Sequence, residues 1–488
     1  MLILKMNKMK NILQRSFLLV LSISLISCAD DFLDLQPQQN ISNESFLQTF
    51  DDFNTAVLGL HDQLQGGGNA ALYGRYTLLV PDVMGEDVKQ NASANRAKEW
   101  AEYNGSETDF IPEDIWREFY EAINIANSVI NSEFVPDKPE LLPDFNTLKG
   151  QAHGIRGLAY FMLCNFYAQP YSFSAGAAHA GVPLVLEFDF QNKPARSTVA
   201  EVYAQVVSDL NQAVTLITTS QKNAGYFSKA AAEALLSRVY LYMEDWSNAE
   251  AKATSVINNY GYSLVSRDLY PTQFIDGLSS EAIFEMIYNT TDNTGSNHIG
   301  GMYKVTGYGD YLPSNDWYAL MEDGDIRRTM ITYDNNLIGD FAKAPLGAAR
   351  VDKWPSEGPL NGTDNVSVIR LSEVYLNRAE ARANLGNDAG AQADLDMIRQ
   401  RANPGVAAVA ATGTALKTEV YNERRAELAF EGHRIFDINR RKQSLARVLD
   451  CTSVPQACNL SYPNPLFILP IPDGEINSNP DISQNPGY

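Results

Sequence analysis

The chain has 488 residues, with 38 Lys and Arg against 59 Asp and Glu, and a formal net charge of −21. That balance argues against a nucleic-acid partner, whose phosphates need a basic footprint. Length alone suits two to four domains of about 150 residues each.

The first 27 residues carry Lys5, Lys8, Lys10 and Arg15 and no acid, and an apolar run from Phe17 to Ile26 follows. A positive region followed by a short apolar one is the layout of an export signal. The run is too short and too interrupted by serine for a membrane span, which needs about 20 apolar residues. Leu25-Ile26-Ser27-Cys28 resembles the lipobox of bacterial lipoproteins, which are cut before the cysteine and lipidated on it. An ordinary cleaved signal with an incidental cysteine is the alternative, but a cysteine at that position favours only the lipidated form. Residues 1–27 are therefore read as a lipoprotein signal peptide, Cys28 as the lipidated residue, and 28–45 as a polar tether. Buried acyl chains, at about 0.8 kcal/mol per methylene, hold a protein at a membrane without a spanning helix.

Beyond the tether most of the chain reads as helix. Ala152, Ile155, Ala159, Met162 and Phe166 recur at three- and four-residue spacing, as do Val202, Val206, Leu210, Ala213 and Leu216. The run SKAAAEALLSRVYLYMED is rich in strong helix formers, and Asp245 or Ser247 can cap the helix after it. Near the end, VIRLSEVYLNRAEARANLG is closed by Gly386, and Asn387 or Asp388 opens a second helix carrying Ala391, Leu395, Ile398 and Ala402. Paired helices with small residues between them are the mark of tetratricopeptide-type hairpins. Four pairs are expected, near 113–167, 198–243, 229–259 and 368–402, the middle two sharing a helix. Residues 65–112 and 260–366 are rich in Gly, Asn, Asp, Pro and aromatics and are read as loop-rich insertions, where binding residues concentrate.

No catalytic constellation emerges. There is no nucleophile elbow or phosphate loop, and TGYGDYL lacks the third glycine of a dinucleotide fingerprint. His61, His153, His179, His298 and His433 are scattered without metal-ligand spacing, so neither a metal nor a cofactor is expected. EDGDIRR lacks the ligand alternation of a calcium loop and is read as a capped helix end. The segment Asn422 to Lys442, with Glu423, Glu427 and Glu431 beside Arg424, Arg425 and Arg434, is read as ion pairs locking a helix to its neighbours rather than as a ligand clamp. Cys451 and Cys458 bracket the turn-rich TSVPQA and are a candidate disulfide in an exported chain; Cys164 reads as a buried helix residue. Trp100, Tyr103, Tyr303, Tyr308, Tyr311 and Trp354 fall in irregular segments, where flat rings can stack on sugar C–H faces; the alternative for each is local packing. Trp317 and Tyr318 look like the first turn of a helix.

In order along the chain, CADDFLDLQPQ, IWREFYEAINIANSVI, GIRGLAYFMLCNFYAQPY, GVPLV with RSTVAEVYAQVVSDLNQA, KAAAEALLSRVYLYMEDWSNA, VIRLSEVYLNRAEARANLG, ERRAELAFEGHRIFDINR and LPIPDGEINSNPDISQNPGY resemble the RagB/SusD family of Bacteroidetes outer-membrane lipoproteins. The resemblance implies a mainly α SusD-like fold, with tetratricopeptide-like hairpins as scaffold and the ligand site in the loop-rich part. The body would be single, 46–488, its N-terminal region about 46–260 and its C-terminal region about 261–488. The implied function is capture of an oligosaccharide or polysaccharide at the outer-membrane surface, facing the cell exterior, and delivery to a SusC-like TonB-dependent transporter. Peptide binding by the same scaffold is the alternative, and a surface glycoside hydrolase a more distant one. By position Asp82, Trp100, Tyr308 and Tyr311 fall where members place ligand contacts, with Trp100 foremost as a stacking platform. Arg370 opens the C-terminal block, with a helix-start ion pair to Glu373 as its structural role.

Overall fold

The computed structural model describes residues 47–488 except 67–71, 92–93, 188, 190, 305 and 334–348. Cys28, the signal segment 1–27 and the tether 28–45 lie outside the described residues. Phe53–Tyr488 forms one compact unit; of the unit before it, Met1–Asp52, the described part is 47–52. There the Asp52 carboxylate accepts the Thr49 N–H at 2.8 Å, while the Thr49 hydroxyl accepts the Asp52 N–H at 3.2 Å. This reciprocal cap starts helix α1 (Phe50–Gln65).

The frame is a series of antiparallel helices: α4 (Phe110–Asn131), α5 (Leu142–Tyr167), α6 (Val199–Leu216), α7 (Lys229–Tyr242), α8 (Trp246–Asn259), α9 (Leu371–Asn384), α10 (Asp388–Ala402) and α11 (Gly413–Leu428). Each neighbour in α4–α5–α6–α7–α8 packs on the next, and α8 then packs on α9. The expected pairs are all present, and α7 is indeed shared by two of them. Local chemistry sets the ends: Thr198 and Glu201 form a capping box on α6, Ser228 caps α7, Asp245 caps α8 and Asn387 caps α10. Gly386 stops α9 at φ +78°, a conformation that L side chains avoid. Between the helices sit small apolar residues: Ala379, Ala383 and Ala391 join Leu376, Leu395, Ile398, Leu416 and Val420 in one buried cluster.

Buried ion pairs fix the helices in register. Arg156 of α5 forks onto Asp209 of α6 at 2.7 and 2.9 Å and reaches Asn127 of α4 at 2.8 Å. Arg238 of α7 does the same to Glu373 of α9, at 2.5 and 2.6 Å. Burial alone would raise the Glu373 carboxyl, but Arg238 holds it down at about 2.

The loop-rich insertions are more ordered than their composition suggests. They contain helices α2 (Tyr76–Val83) and α3 (Lys98–Ala101) and six strands that pair antiparallel in twos: β1 (Val88–Gln90) with β3 (Tyr311–Pro313), β2 (Ala282–Met286) with β6 (Val366–Arg370), and β4 (Ile331–Tyr333) with β5 (Ala349–Val351). Their anchor is the charged segment 422–442. Arg425 bonds Asp87 at 2.5 Å, Arg434 bonds Glu86 at 2.9 Å, and Arg327 bonds Glu423 at 2.6 Å. Lys353 reaches the Glu427 and Ala429 carbonyls at 3.0 and 2.9 Å. In EDGDIRR the capped end is the start of a short 3-10 helix, Ile326–Met330: the Asp325 side chain accepts the Arg327 N–H, and Arg327 is buried. Cys451 and Cys458 are joined by a disulfide, and Cys164 is free and buried.

Candidate functional site

The β1–β3 pair is what makes the site. Its register sets Gln90 opposite Tyr311 and clamps the loop after β1 against the loop before β3. Asn91 completes the clamp: its N–H donates to the Asp310 carbonyl at 2.8 Å and its amide to the Gly309 carbonyl at 2.9 Å. Arg96 then folds back, its N–H 3.2 Å and its guanidinium 3.3 Å from the Asp310 carboxylate. Its guanidinium carbon ends 3.1 Å from the centroid of the Tyr308 ring, in cation–π geometry.

The Tyr308 hydroxyl donates to Asn297 Oδ1 at 3.0 Å, and Arg75 donates to the same oxygen at 3.3 Å. Arg75 also donates to the Tyr76 hydroxyl at 2.7 Å and lies 4.2 Å above the Tyr76 ring. Tyr76 meets Phe110, at the head of α4, edge to face at 6.2 Å. Phe110 is 59% exposed, while Tyr308, Arg96 and Asn297 are half-buried. Burial lowers the Arg75 pKa and raises those of Asp114 and Asp310; Arg117, and less so Arg75, oppose the rise at Asp114, and Arg96 opposes it at Asp310. The half-buried Tyr308 ring, the Arg96 guanidinium and the Asn297 amide thus meet, with buried Arg75 behind the amide and Tyr76 linking Arg75 to exposed Phe110. Such a surface can stack on an apolar ring face and bond hydroxyls around its edge.

Of the residues expected at a ligand site, only Tyr308 reaches this surface. Trp100 is 2% exposed, and Gly105 is folded so tightly on its indole that a Cβ there would sit 2.6 Å from the ring. It is a packed residue, not an open stacking platform. Asp82 is fully buried in α2, where it accepts the Gly432 N–H at 3.1 Å, and burial pushes its carboxyl well above the usual range. Tyr311 is buried too, its hydroxyl donating to the Arg96 carbonyl at 2.8 Å; it supports the site from beneath. Arg370 is 3% exposed and is paired not with Glu373 but with Glu427 at 2.7 Å and Glu431 at 2.8 Å. Burial alone would raise the Glu427 carboxyl, yet Arg401, Arg370 and Arg327 hold it well below the ordinary range.

The other loop aromatics are packed as well. Tyr303 stacks on Trp354 with centroids 5.8 Å apart, Trp317 is buried in the short helix Asn315–Tyr318, and the Tyr103 hydroxyl donates to the Met84 carbonyl at 2.5 Å. Arg75, Tyr76, Arg96, Phe110 and Asn297 were not singled out from the sequence. The available signal was two arginines inside the first irregular segment, which becomes informative only once β1 and β3 are known to pair. Among the described residues no three His, Cys, Asp or Glu side chains converge as a metal site.

A helical-hairpin frame that presents a loop-built polar and aromatic surface defines a class of binding proteins. Residues 348–488 match the SusD family model, and residues 31–241 match the model described as starch-binding, associating with the outer membrane. A SusD superfamily protein from Bacteroides thetaiotaomicron is 30% identical, with a TM-score of 0.82 over 90% of this chain and 100% of that one. SusD-like protein P2 of Formosa agariphila is 24% identical over 96% of this chain and 98% of its own length. A laminarin-binding SusD-like protein shares the fold with a TM-score of 0.72 at 24% identity, over 90% of this chain and 100% of its own. The chain belongs to the SusD/RagB family.

Proposed function

We propose that this protein is a cell-surface lipoprotein that captures an oligosaccharide or polysaccharide and passes it to a SusC-like TonB-dependent transporter. The observation that carries the reading is the Arg96–Tyr308–Asn297 cluster, backed by buried Arg75 and linked through Tyr76 to exposed Phe110. It pairs the Tyr308 and Phe110 rings with fixed hydrogen-bonding groups, as binding of a hydroxyl-rich ring requires. Family membership, the starch-binding description of the matching model and the laminarin-binding structural relative support a glycan as ligand.

Capture rather than hydrolysis fits a site whose carboxylates are tied to guanidiniums: Asp310 to Arg96, and Asp114 to Arg117 at 2.8 Å. The lipid on Cys28, after removal of residues 1–27, would hold the body at the outer membrane through the 28–45 tether. In keeping with such an anchor, no helix among the described residues is long and apolar enough to cross a membrane. The test is a panel of soluble polysaccharides, starch and laminarin among them, run against the native protein and its Tyr308→Ala variant. Retention of the native protein with loss in the variant supports the reading; a panel that retains neither overturns it. Co-purification of a TonB-dependent transporter with the membrane-bound protein tests the delivery step.

A further inference from the structure

An open groove of about 730 Å³ runs beside α4, between that helix, residues 183–185 and 192–194 and the C-terminal segment 472–479. Its volume lies in the range of small-molecule and oligomer sites, about 300–1,000 Å³. The floor is apolar, made by Tyr120, Trp116 and the prolines at 183, 194 and 472. Tyr120 is held in place by its hydroxyl, which donates to the Pro183 carbonyl at 2.8 Å. Exposed Glu121, Asn124 and Asn192 stand along the rim.

One end of the groove lies near Phe110, whose ring meets Tyr76. The groove wall begins at Glu113, one helical turn from Phe110, and extends to Asn124, about 17 Å along the helix axis. Arg117, in the groove wall, donates to Asp114, and Asp114 lies close enough to Arg75 to interact with its charge. The charge balance also selects. Glu113, Glu121 and Glu475 face Arg117 and Lys193, and Arg117 is already engaged by Asp114 and Glu118 at 2.8 and 3.0 Å. A polyanion entering here meets three carboxylates, Glu121 bonded by the neutral Gln63 amide at 3.1 Å and Glu475 by the Trp116 indole.

We propose that the groove is the second half of an extended site, so that a neutral polysaccharide chain seated on the Tyr308 surface continues along α4 over Tyr120. The inference rests on the proposed glycan-binding function and adds to it a preference for uncharged chains of several sugar rings over short or acidic ones.

Gly474 allows a clean test. It lines the groove, and a Cβ added there meets nothing within 4 Å, so Gly474→Trp fills the groove without displacing backbone. The probes are starch and laminarin, their two- and three-ring fragments, and a sulfated polysaccharide. The expected result is at least tenfold weaker binding of the neutral polymer by Gly474→Trp, unchanged binding of its short fragments, and no retention of the sulfated polymer. Tyr308→Ala is expected to lose polymer and fragments alike. If Gly474→Trp does not fold, as read by thermal unfolding, Asn124→Ala with Asn192→Ala at two exposed rim positions serves in its place, with threefold or greater weakening expected for the polymer alone. Equal polymer affinity in the groove variants and the native protein, or preferred binding of the sulfated polymer, overturns the inference and leaves glycan capture standing. Failure of the native protein to bind any polysaccharide overturns both.

Discussion

The guanidinium of Arg96 rests 3.1 Å from the centroid of the Tyr308 ring, although 212 residues of chain separate the two, and the Asp310 carboxylate pins it there. A ring so held is pre-organised for stacking, which reduces the ordering cost of binding. Tyr308→Ala is expected to weaken glycan binding at least tenfold, about 1.4 kcal/mol. The position is half-buried on the surface, so the stability change should stay near 0.5 kcal/mol. Tyr308→Phe keeps the ring and loses only the bond to Asn297, so its affinity should fall between the two. Calorimetry with thermal unfolding on the same samples checks all three.

The frame depends on buried charge pairs, and Arg238 with Glu373 is the sharpest case. Arg238→Met leaves a buried carboxylate without its fork. The expected loss is about 3–5 kcal/mol of unfolding free energy, read from urea titration. Arg238 also donates to the Val368 carbonyl at 2.7 Å, so the join between β6 and α9 should loosen with it.

His298 gives the pH dependence a definite sign. It is fully buried, its Nδ1 accepts the Gly300 N–H at 3.1 Å, and burial, with Lys304 adding to it, pushes its pKa down to about 3. The folded state therefore refuses a proton that the unfolded chain takes up near pH 6.5. This contribution is whole above pH 6.5 and is lost progressively as pH falls toward 3, about 2 kcal/mol of it by pH 5. Comparing unfolding at pH 7 and pH 5 in His298→Gln and in the native protein isolates it: the variant should show a smaller acid loss.

The helical frame was legible because its signals are local. Apolar spacing, the Gly386 stop and the Asn387 cap all lie within a few residues of the structure they set. The site was not, because exposure depends on which loops meet. Trp100 and Tyr308 look alike as loop aromatics, yet Gly105 covers the first and the β1–β3 clamp presents the second. The Arg370 partner was misassigned for a related reason. Glu373 is three residues away and was the local choice, but Glu373 turns to Arg238 while Arg370 reaches Glu427, 57 residues on. The reading of 422–442 as a structural ion-pair segment is matched by its contacts with Glu86, Asp87 and Lys353.

The proposed membrane attachment rests on one residue, Cys28. Cys28→Ala should leave the thermal unfolding of the body unchanged and shift the protein from the membrane pellet to the soluble fraction when no transporter is co-expressed. Retention in the pellet under those conditions would show that something other than Cys28 holds it.

Glycan capture without chemistry is tested most directly by calorimetric titration of the purified protein with neutral polysaccharides, with soluble sugar assayed in the same cell afterwards. The expected result is saturable heat with at least one polysaccharide, its loss in Tyr308→Ala, and no shortening of the polymer. Saturable heat with peptides alone, or release of short sugars by the protein acting by itself, would contradict it.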